Sequence, residues 1–555
     1  VDGTEEEVAA MSASKVYLVH GPPGTGKTTY LSEQAGHAVD KHGPNGVAIA
    51  SLTRTAAHEI ASRTTLHDEA VGTLHAHCYR GLNRPDLAET PGQLRDWSEK
   101  HPQYRLTGGT QDQLEDTPID SDRGGENAGD RLHNQVTNHR ARLTPIDHWT
   151  PEQRQYHQAW CVWKDGRMDF TDLIEQAIRE MPAHPLAPRV LLLDEAQDFS
   201  ALELKLATTW AAATETTVIA GDMDQSIFSW RGADPRAFRD LDLAGERILA
   251  QSHRVPREIH ALADRWIRRI EDRQPIEYRP TEHAGLVRGL PMTCKTPDEL
   301  LDVISGLDGQ VMVLATCGYM LGPLIAELRE NGVPFHNPYR EKAGNWNPLR
   351  SASRLAAFLR AETRVWGDRA RAWTWDDLRL WTEPLQAKGV LARGAKTAIE
   401  ATCQEDRFGQ SRASDEVPLE TLMTLLDAKT LHHPAFRGDI GWWERSLRAS
   451  QAAKHRYPLQ IVRRQGGQAL LETPKLMIGT VHSFKGGECD HAIVIPDLSR
   501  TGMWMGWQPG GPGRDQIVRM GYVAATRARQ TLSILEPSSP ERMPLRDELP
   551  QAALA

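Results

Sequence analysis

Cysteine is sparse in this chain, and its spacing excludes two scaffolds at once. The six residues, at 78, 161, 294, 317, 403 and 489, stand singly with no C-x-x-C pair. Neither a disulfide frame nor a structural zinc site is suggested, and reduced thiols in a cytoplasmic protein are expected. Apolar runs long enough to span a bilayer are missing, and the acidic opening Val1-Asp-Gly-Thr-Glu-Glu-Glu7 is unlike a secretory leader. Positive charge is not in excess either. The net charge is −9, so any affinity for nucleic acid must come from a local groove. What remains is an ordinary globular composition, and 555 residues are too many for one core.

The most informative stretch is Gly21-Pro-Pro-Gly-Thr-Gly-Lys-Thr28, entered through the apolar run Val16-Tyr-Leu-Val19. It fits strand, then G-x-x-x-x-G-K-[ST], then helix, a loop that wraps phosphates with backbone N–H groups. Gly21, Gly24 and Gly26 allow consecutive amides to converge on one anion, with Pro22 and Thr25 completing the turn. Lys27 supplies a point charge to the β- and γ-phosphates, and the Thr28 hydroxyl can reach Mg²⁺. This pattern predicts binding of a nucleoside triphosphate, followed by a helix over 28–39.

Further strands are expected at Val47–Ala50 and at Val71-Gly-Thr-Leu-His75, the latter ending on Thr73 and His75. Strand–helix alternation with polar residues at strand ends predicts a doubly wound α/β fold with ligands at that edge. His75-Ala-His77-Cys78 lacks a second ligand pair nearby in sequence, which disfavours a metal reading. Between residues 81 and 164 the strand pattern stops. An inserted, mainly helical subdomain is expected there, with a solvated loop at 111–130 and with Trp160 and Trp163 in its core. Val190-Leu-Leu-Leu-Asp194-Glu195 is an apolar strand ending on two acids. Asp194 is placed to hold Mg²⁺, and Glu195 is the candidate base for the attacking water. The strand Val218–Gly221 then leads to Gln225, suited to sensing a γ-phosphate, and to Trp230, which either stacks a base or packs.

These residues form a set that resembles superfamily 1 helicases of the UvrD/Rep/PcrA type. The phosphate loop is similar to motif I, Ser51–Ile60 to motif Ia, and Gly72–His75 to motif Ib. Asp194-Glu-Ala-Gln-Asp198 resembles motif II, Gly221–Asp234 motif III, and Gln251-Ser-His-Arg254 motif IV. Ile478–Glu488 resembles motif V and Tyr522–Arg529 motif VI. The resemblance implies two RecA-like P-loop NTPase domains, each with a mainly helical insertion. On this reading residues 1–80 and 165–242 form the first RecA-like domain, with residues 81–164 its insertion. Residues 243–340 and 471–555 form the second, with the Trp-rich stretch 341–470 inserted.

By the same resemblance Arg254 and Arg527 reach the γ-phosphate from the second domain, and Gly486 and Glu488 line the nucleotide on that side. Thr53, Thr73, His75, Trp230, Thr480 and His482 match positions that contact a DNA strand. Three departures surround the base: Glu6 where glutamine is usual, Thr29 where arginine is common, and His253 in place of an aromatic cover. The implied cofactors are ATP and Mg²⁺. The implied partner is single-stranded DNA and its junctions with duplex, and the implied activity is a 3′-to-5′ translocase and helicase. The rival is a nucleotide-gated DNA-binding subunit of a repair, replication or phage-defence complex that unwinds nothing alone. No room for an appended nuclease domain is expected after the strand at Thr531–Leu535.

Overall fold

The computed structural model describes residues 15–52, 57, 60–61, 65–107, 128–340, 346–360, 373–404, 412–499 and 513–553. Glu6, Thr53, residues 111–127 of the loop expected at 111–130, and the Gly/Pro-rich stretch 500–512 lie outside them; residues 128–130 of that expected loop are instead the start of a helix. The chain divides into two units, the first of Val1–Pro291, Ala315–Gly318 and Thr480–Ala555, the second of Met292–Leu314 and Tyr319–Gly479.

In the first unit, β1 (Lys15–His20) leads through the phosphate loop into α1 (Lys27–His42), three residues longer at its end than the apolar pattern predicts. The chain continues through β2 (Val47–Ser51), β3 (Val71–Thr73) and α2 (Leu74–Gly81). His75 therefore sits in the first turn of a helix rather than at a strand end. The Thr73 side chain accepts the Ala76 amide and caps that helix, which stops the strand two residues early. Helices α3 (Pro91–Lys100), α4 (Ala128–Ala141), α5 (Pro151–Lys164) and α6 (Phe170–Glu180) precede β4 (Val190–Asp194). Then come α7 (Ala201–Ala211), β5 (Thr216–Gly221) and β6 (Gly245–Ile248).

The six strands form a parallel sheet in the order β3-β2-β4-β5-β1-β6. Its register sets Thr73 beside Ser51, Ser51 beside Asp194, and His20 beside Gly221, so the strand C-termini share one edge. Alternate residues fill opposite faces. Leu18, Ala48, Ala50, Leu191, Leu193 and Ile219 pack with Leu173 and Ile174 of α6 and Leu206 and Trp210 of α7. Val19, Val47, Ile49, Leu192, Val218 and Ala220 pack with Leu31 and Ala35 of α1. Each valine, leucine or isoleucine among them contributes about 1.5–3 kcal/mol by leaving water, which holds the loops at that edge on a stiff base.

The segment expected as an insertion has its own core, in which Trp97, Tyr104, Trp149, Tyr156, Trp160 and Trp163 are buried together. Their indoles are polar-satisfied: Trp97 donates to the Tyr104 carbonyl at 2.8 Å and Trp160 to Asp169 at 2.9 Å. That occupies them structurally, as their aromatic mass predicts.

Still in the first unit, α8 (Arg257–Ile267) and β7 (Leu286–Leu290) follow. The second unit holds most of β8 (Val311–Ala315), β9 (Phe335–His336) and β10 (Leu476–Thr480), with β10 between β8 and β9. It also holds a helical body whose core gathers Phe358, Trp373, Trp375, Trp381, Phe436 and Trp443. Lys396 of this body donates to the Glu383 and Leu385 carbonyls. The chain returns to the first unit as β11 (Cys489–Ile495), α9 (Arg514–Ala525) and β12 (Ala528–Leu535). There β12 lies between β7 and β11, parallel to both. The pairing strand β7 carries a glycine and an arginine among only three aliphatic residues, which hides it from an apolar-run search. The architecture is that of two parallel-sheet, RecA-like α/β domains flanked by helices. Among the described residues no helix is long and apolar enough to cross a membrane.

Candidate nucleotide and strand-binding site

The phosphate loop leaves β1 with Gly24 and Gly26 both at positive φ, 72° and 82°, which an L side chain resists. Helix α1 starts directly after it with no side-chain cap and no acid in its first turn. Its amide ends and positive dipole pole therefore face the loop unneutralised, which suits a polyphosphate. Lys27 folds back to donate to the Gly21 carbonyl at 2.5 Å, and a Cβ on Gly21 would meet Lys27 Cγ at 2.1 Å. The Thr25 hydroxyl donates to the buried Pro22's carbonyl at 2.8 Å. Thr28 opens the helix, and Thr29 beside it is exposed.

Asp194 ends β4 and is buried, with one carboxylate oxygen accepting the Glu195 amide at 2.9 Å. Glu195 takes a left-handed backbone at φ 53°, a conformation that turns its side chain away from the strand direction. Its carboxylate accepts the Gln197 side-chain amide at 2.6 Å and lies 3.7 Å from the Lys485 ammonium. Burial alone would raise the Glu195 pKa, but Lys485, Lys27, the Gln197 hydrogen bond and Arg527 together hold it below the ordinary carboxylate value. Thr28 and Asp194 offer a hydroxyl and a carboxylate, the hard oxygen donors Mg²⁺ prefers.

Gln225 follows β5, buried, with its amide nitrogen donating to Asp222 at 2.7 Å. Its amide oxygen accepts Arg527 Nη2 at 3.1 Å. Arg527 is almost fully buried and also donates to the Val523 and Gly487 carbonyls, so its fork is aimed before any ligand arrives. Arg254 reaches the other side of the loop. A Cβ on Gly24 would stand 2.4 Å from Arg254 Cβ, so only glycine permits this approach. Arg254 Nε donates to Glu488 at 2.7 Å, and Glu488 also pairs with Arg529. The exposed His253 donates its backbone amide to the Gly24 carbonyl at 2.8 Å. Gly486 sits at φ 83° in the same turn as Lys485.

Of the expected strand contacts, Trp230 is half-buried, with the His482 ring edge-on at 6.3 Å and Phe228 at 6.1 Å. His482 is buried, its Nε2 3.2 Å from the Ile227 carbonyl. Thr480 is fully buried, and its hydroxyl accepts the Ser483 amide, so it shapes the turn from within. His75 faces Glu203 at 3.6 Å, and Thr73 caps α2. His77 turns inward to the Ile49 carbonyl at 3.1 Å, and among the described residues no group of three or more His, Cys, Asp or Glu could hold a metal.

Residues 3–243 match the UvrD/REP helicase N-terminal domain. Over that stretch, which is less than half of the chain, the sequence is similar to the UvrD/Rep-type helicases. It is 26% identical over 284 residues to the ATP-dependent DNA helicase srs2 of Schizosaccharomyces pombe, covering 44% of this chain and 32% of that protein. It is 25% identical over 305 residues to the ATP-dependent DNA helicase PcrA of Staphylococcus aureus, covering 49% of this chain and 40% of PcrA. With PcrA of Staphylococcus epidermidis the identity is 24% over 301 residues, with the same coverage of 49% and 40%. The matched region thus spans less than half of the length of these relatives.

The candidate site contains groups that sequence reading did not single out. Lys485 forms an ion pair with the buried Asp198 and donates to the Gln225 carbonyl at 2.6 Å. Burial raises the Asp198 pKa to about 6 despite that lysine. Ser252 and Tyr278 both donate to the Pro23 carbonyl, at 3.0 and 2.9 Å. Arg273 pairs with Asp224 at 2.7 Å. Lys485 and Asp198 lie inside stretches already quoted as motifs, and their charges were the available signal. Tyr278 and Arg273 carry no local pattern, because their partners are hundreds and tens of residues away.

Proposed function

We propose that this chain is an ATP-driven single-stranded-DNA translocase and helicase moving 3′ to 5′, working in the cytoplasm. The supporting observation is that Arg254 abuts Gly24 of the phosphate loop, while Arg527 bonds Gln225 and acts together with Lys27 on Glu195. We take the domain boundaries as those read from sequence, residues 1–80 with 165–242 and 243–340 with 471–555, except that β6 pairs with β1 and so carries the first domain past residue 242. Gly21–Thr28 bind the triphosphate, with Thr29 and His253 beside the base and Gly486 and Glu488 on the far side. Thr28 and Asp194 hold Mg²⁺, which when bound offsets charge on the β- and γ-phosphates. Glu195 accepts the proton of the attacking water as that oxygen bonds to the γ-phosphorus and the bond to the ADP oxygen breaks. Lys27, Arg254 and Arg527 stabilise the charge that spreads over the transferring group. Gln225 links that event to Trp230, five residues on, which stacks a base alongside contacts from Thr53, Thr73, His75 and His482, with the buried Thr480 shaping the turn behind them.

A strand-displacement assay on a 3′-tailed duplex tests this reading. The chain alone unwinds that substrate with ATP and leaves a 5′-tailed one intact. Nucleotide-dependent DNA binding without unwinding supports instead a gated subunit of a repair, replication or defence complex.

A further inference from the structure

The turn carrying Trp230 is held from two sides. On one, Gln516 of α9 donates to the Ile227 carbonyl at 3.2 Å and accepts the Ser229 hydroxyl. On the other stands the last turn of α4, which belongs to the helical insertion. Asn138 donates its side-chain amide to the Trp230 carbonyl, and Arg142, just past the helix end, donates to the Ser229 carbonyl at 2.5 Å. Between them Ala141 abuts Gly232, where a Cβ would lie 2.7 Å from the alanine methyl and the backbone has φ 95°. Only glycine permits that approach. Two buried polar atoms at this junction have no hydrogen-bond partner among the described residues, Trp230 Nε1 and Asn138 Oδ1, a donor and an acceptor.

The end of α4 is itself fixed. Arg140 lies between Asn138 and Arg142 in sequence and is buried in a charge cluster. It contacts Asp169 at 3.0 Å, Asp172 at 2.6 Å and Glu175 at 3.0 Å, and Lys164 meets Asp169 at 2.8 Å. These acids sit at the start of α6, whose apolar face packs on the first sheet. A fully paired buried cluster of this kind rigidifies what it joins.

We propose that Asn138 and Arg142 are positioning residues that set the pose of Trp230, so that the helical insertion, and not only the sheet edge, determines how the indole meets a DNA base. This rests on Trp230 being the stacking residue. The carbonyls of residues 229 and 230 are anchored to α4, whereas that of residue 227 is held by Gln516. A change at α9 during the ATP cycle then acts on one end of a turn whose other end is clamped. The bonds Asn138 and Arg142 make go to the Trp230 and Ser229 carbonyls, which gives them no part in the chemistry proposed for hydrolysis.

The test compares Asn138→Ala, Arg142→Ala, the double variant, Arg142→Lys and Trp230→Ala in the full chain. ATPase is read with and without oligo-dT, and stacking is read as quenching of 2-aminopurine placed in the oligonucleotide. The double variant raises the oligo-dT concentration for half-maximal stimulation by about 2- to 30-fold and weakens the quench. Its basal ATPase, its KM for ATP and its melting temperature stay at the parental values, and Arg142→Lys restores coupling. Wild-type stimulation in the double variant, with Trp230→Ala defective, overturns the strut. An effect confined to Arg142→Ala with a shallower salt dependence makes that arginine a phosphate contact and also overturns it. If Trp230→Ala itself is silent, the stacking reading fails and the strut fails with it.

Discussion

Arg527 Nη2 stands 3.1 Å from Gln225 Oε1, a contact across 302 residues of sequence. It joins the residue proposed to sense the γ-phosphate to one proposed to stabilise it, and both are buried. Because Gln225 begins the turn that ends at Trp230, the same contact connects Arg527 to the proposed strand platform. A guanidinium supplied across two domains makes hydrolysis depend on how they meet, and closure and reopening of such domains can move a bound strand.

Glu195→Gln should keep ATP and DNA binding while lowering turnover about 10²- to 10⁴-fold, the range of a lost general base. Filter binding of nucleotide and oligonucleotide, set beside steady-state ATPase, separates the two effects. Turnover near the parental value would remove Glu195 from the role of base.

Arg254→Ala should lower turnover at saturating ATP about 10³-fold or more, as loss of an arginine finger does. It also leaves Glu488 without the cation 2.7 Å away that helps hold its pKa down against burial. Comparison with Arg529→Ala, which removes the other partner of Glu488, isolates the catalytic part. Equal losses in both variants would mean that Arg254 acts only by holding Glu488.

Asp198 gives a pH signature. Burial lifts its folded pKa from 3.8 to about 6, so the folded state holds a proton that the unfolded chain releases. The stability this provides is complete below pH 4 and is lost as the pH rises toward 6, a change of about 3 kcal/mol. Asp198→Asn should therefore gain stability relative to the parent between pH 4 and pH 6, read as a growing difference in melting temperature. Lys485→Met removes the cation that opposes the shift and should push the loss to higher pH. A difference between Asp198→Asn and the parent that does not vary with pH would contradict this account.

Much of this arrangement is legible in the chain itself. β1, β2, β4 and β5 are short apolar runs that lead into polar residues, so the positions of Lys27, Asp194, Glu195 and Gln225, to which the proposed chemistry is assigned, are visible from local pattern. The helix start at Leu74 is harder to see, because a hydroxyl cap at Thr73 overrides the β-favouring run before it. β7 and β6 owe their place to neighbours in the sheet rather than to hydrophobicity; β6 is largely exposed. The clamps on the site are least legible. Tyr278 on Pro23, Arg273 on Asp224 and Asn138 on Trp230 join residues that only the folded chain brings together.

The central claim is that one triphosphate is enclosed by groups from both RecA-like domains and that a bound strand is felt there. It is tested most directly by ATPase rates with and without single-stranded DNA, in the parent chain and in Arg527→Ala. The account predicts DNA-stimulated turnover in the parent, and in Arg527→Ala retained ATP binding with stimulated turnover reduced about 10³- to 10⁵-fold. A parent rate indifferent to DNA, or an Arg527→Ala chain that still responds to it in full, would contradict the account.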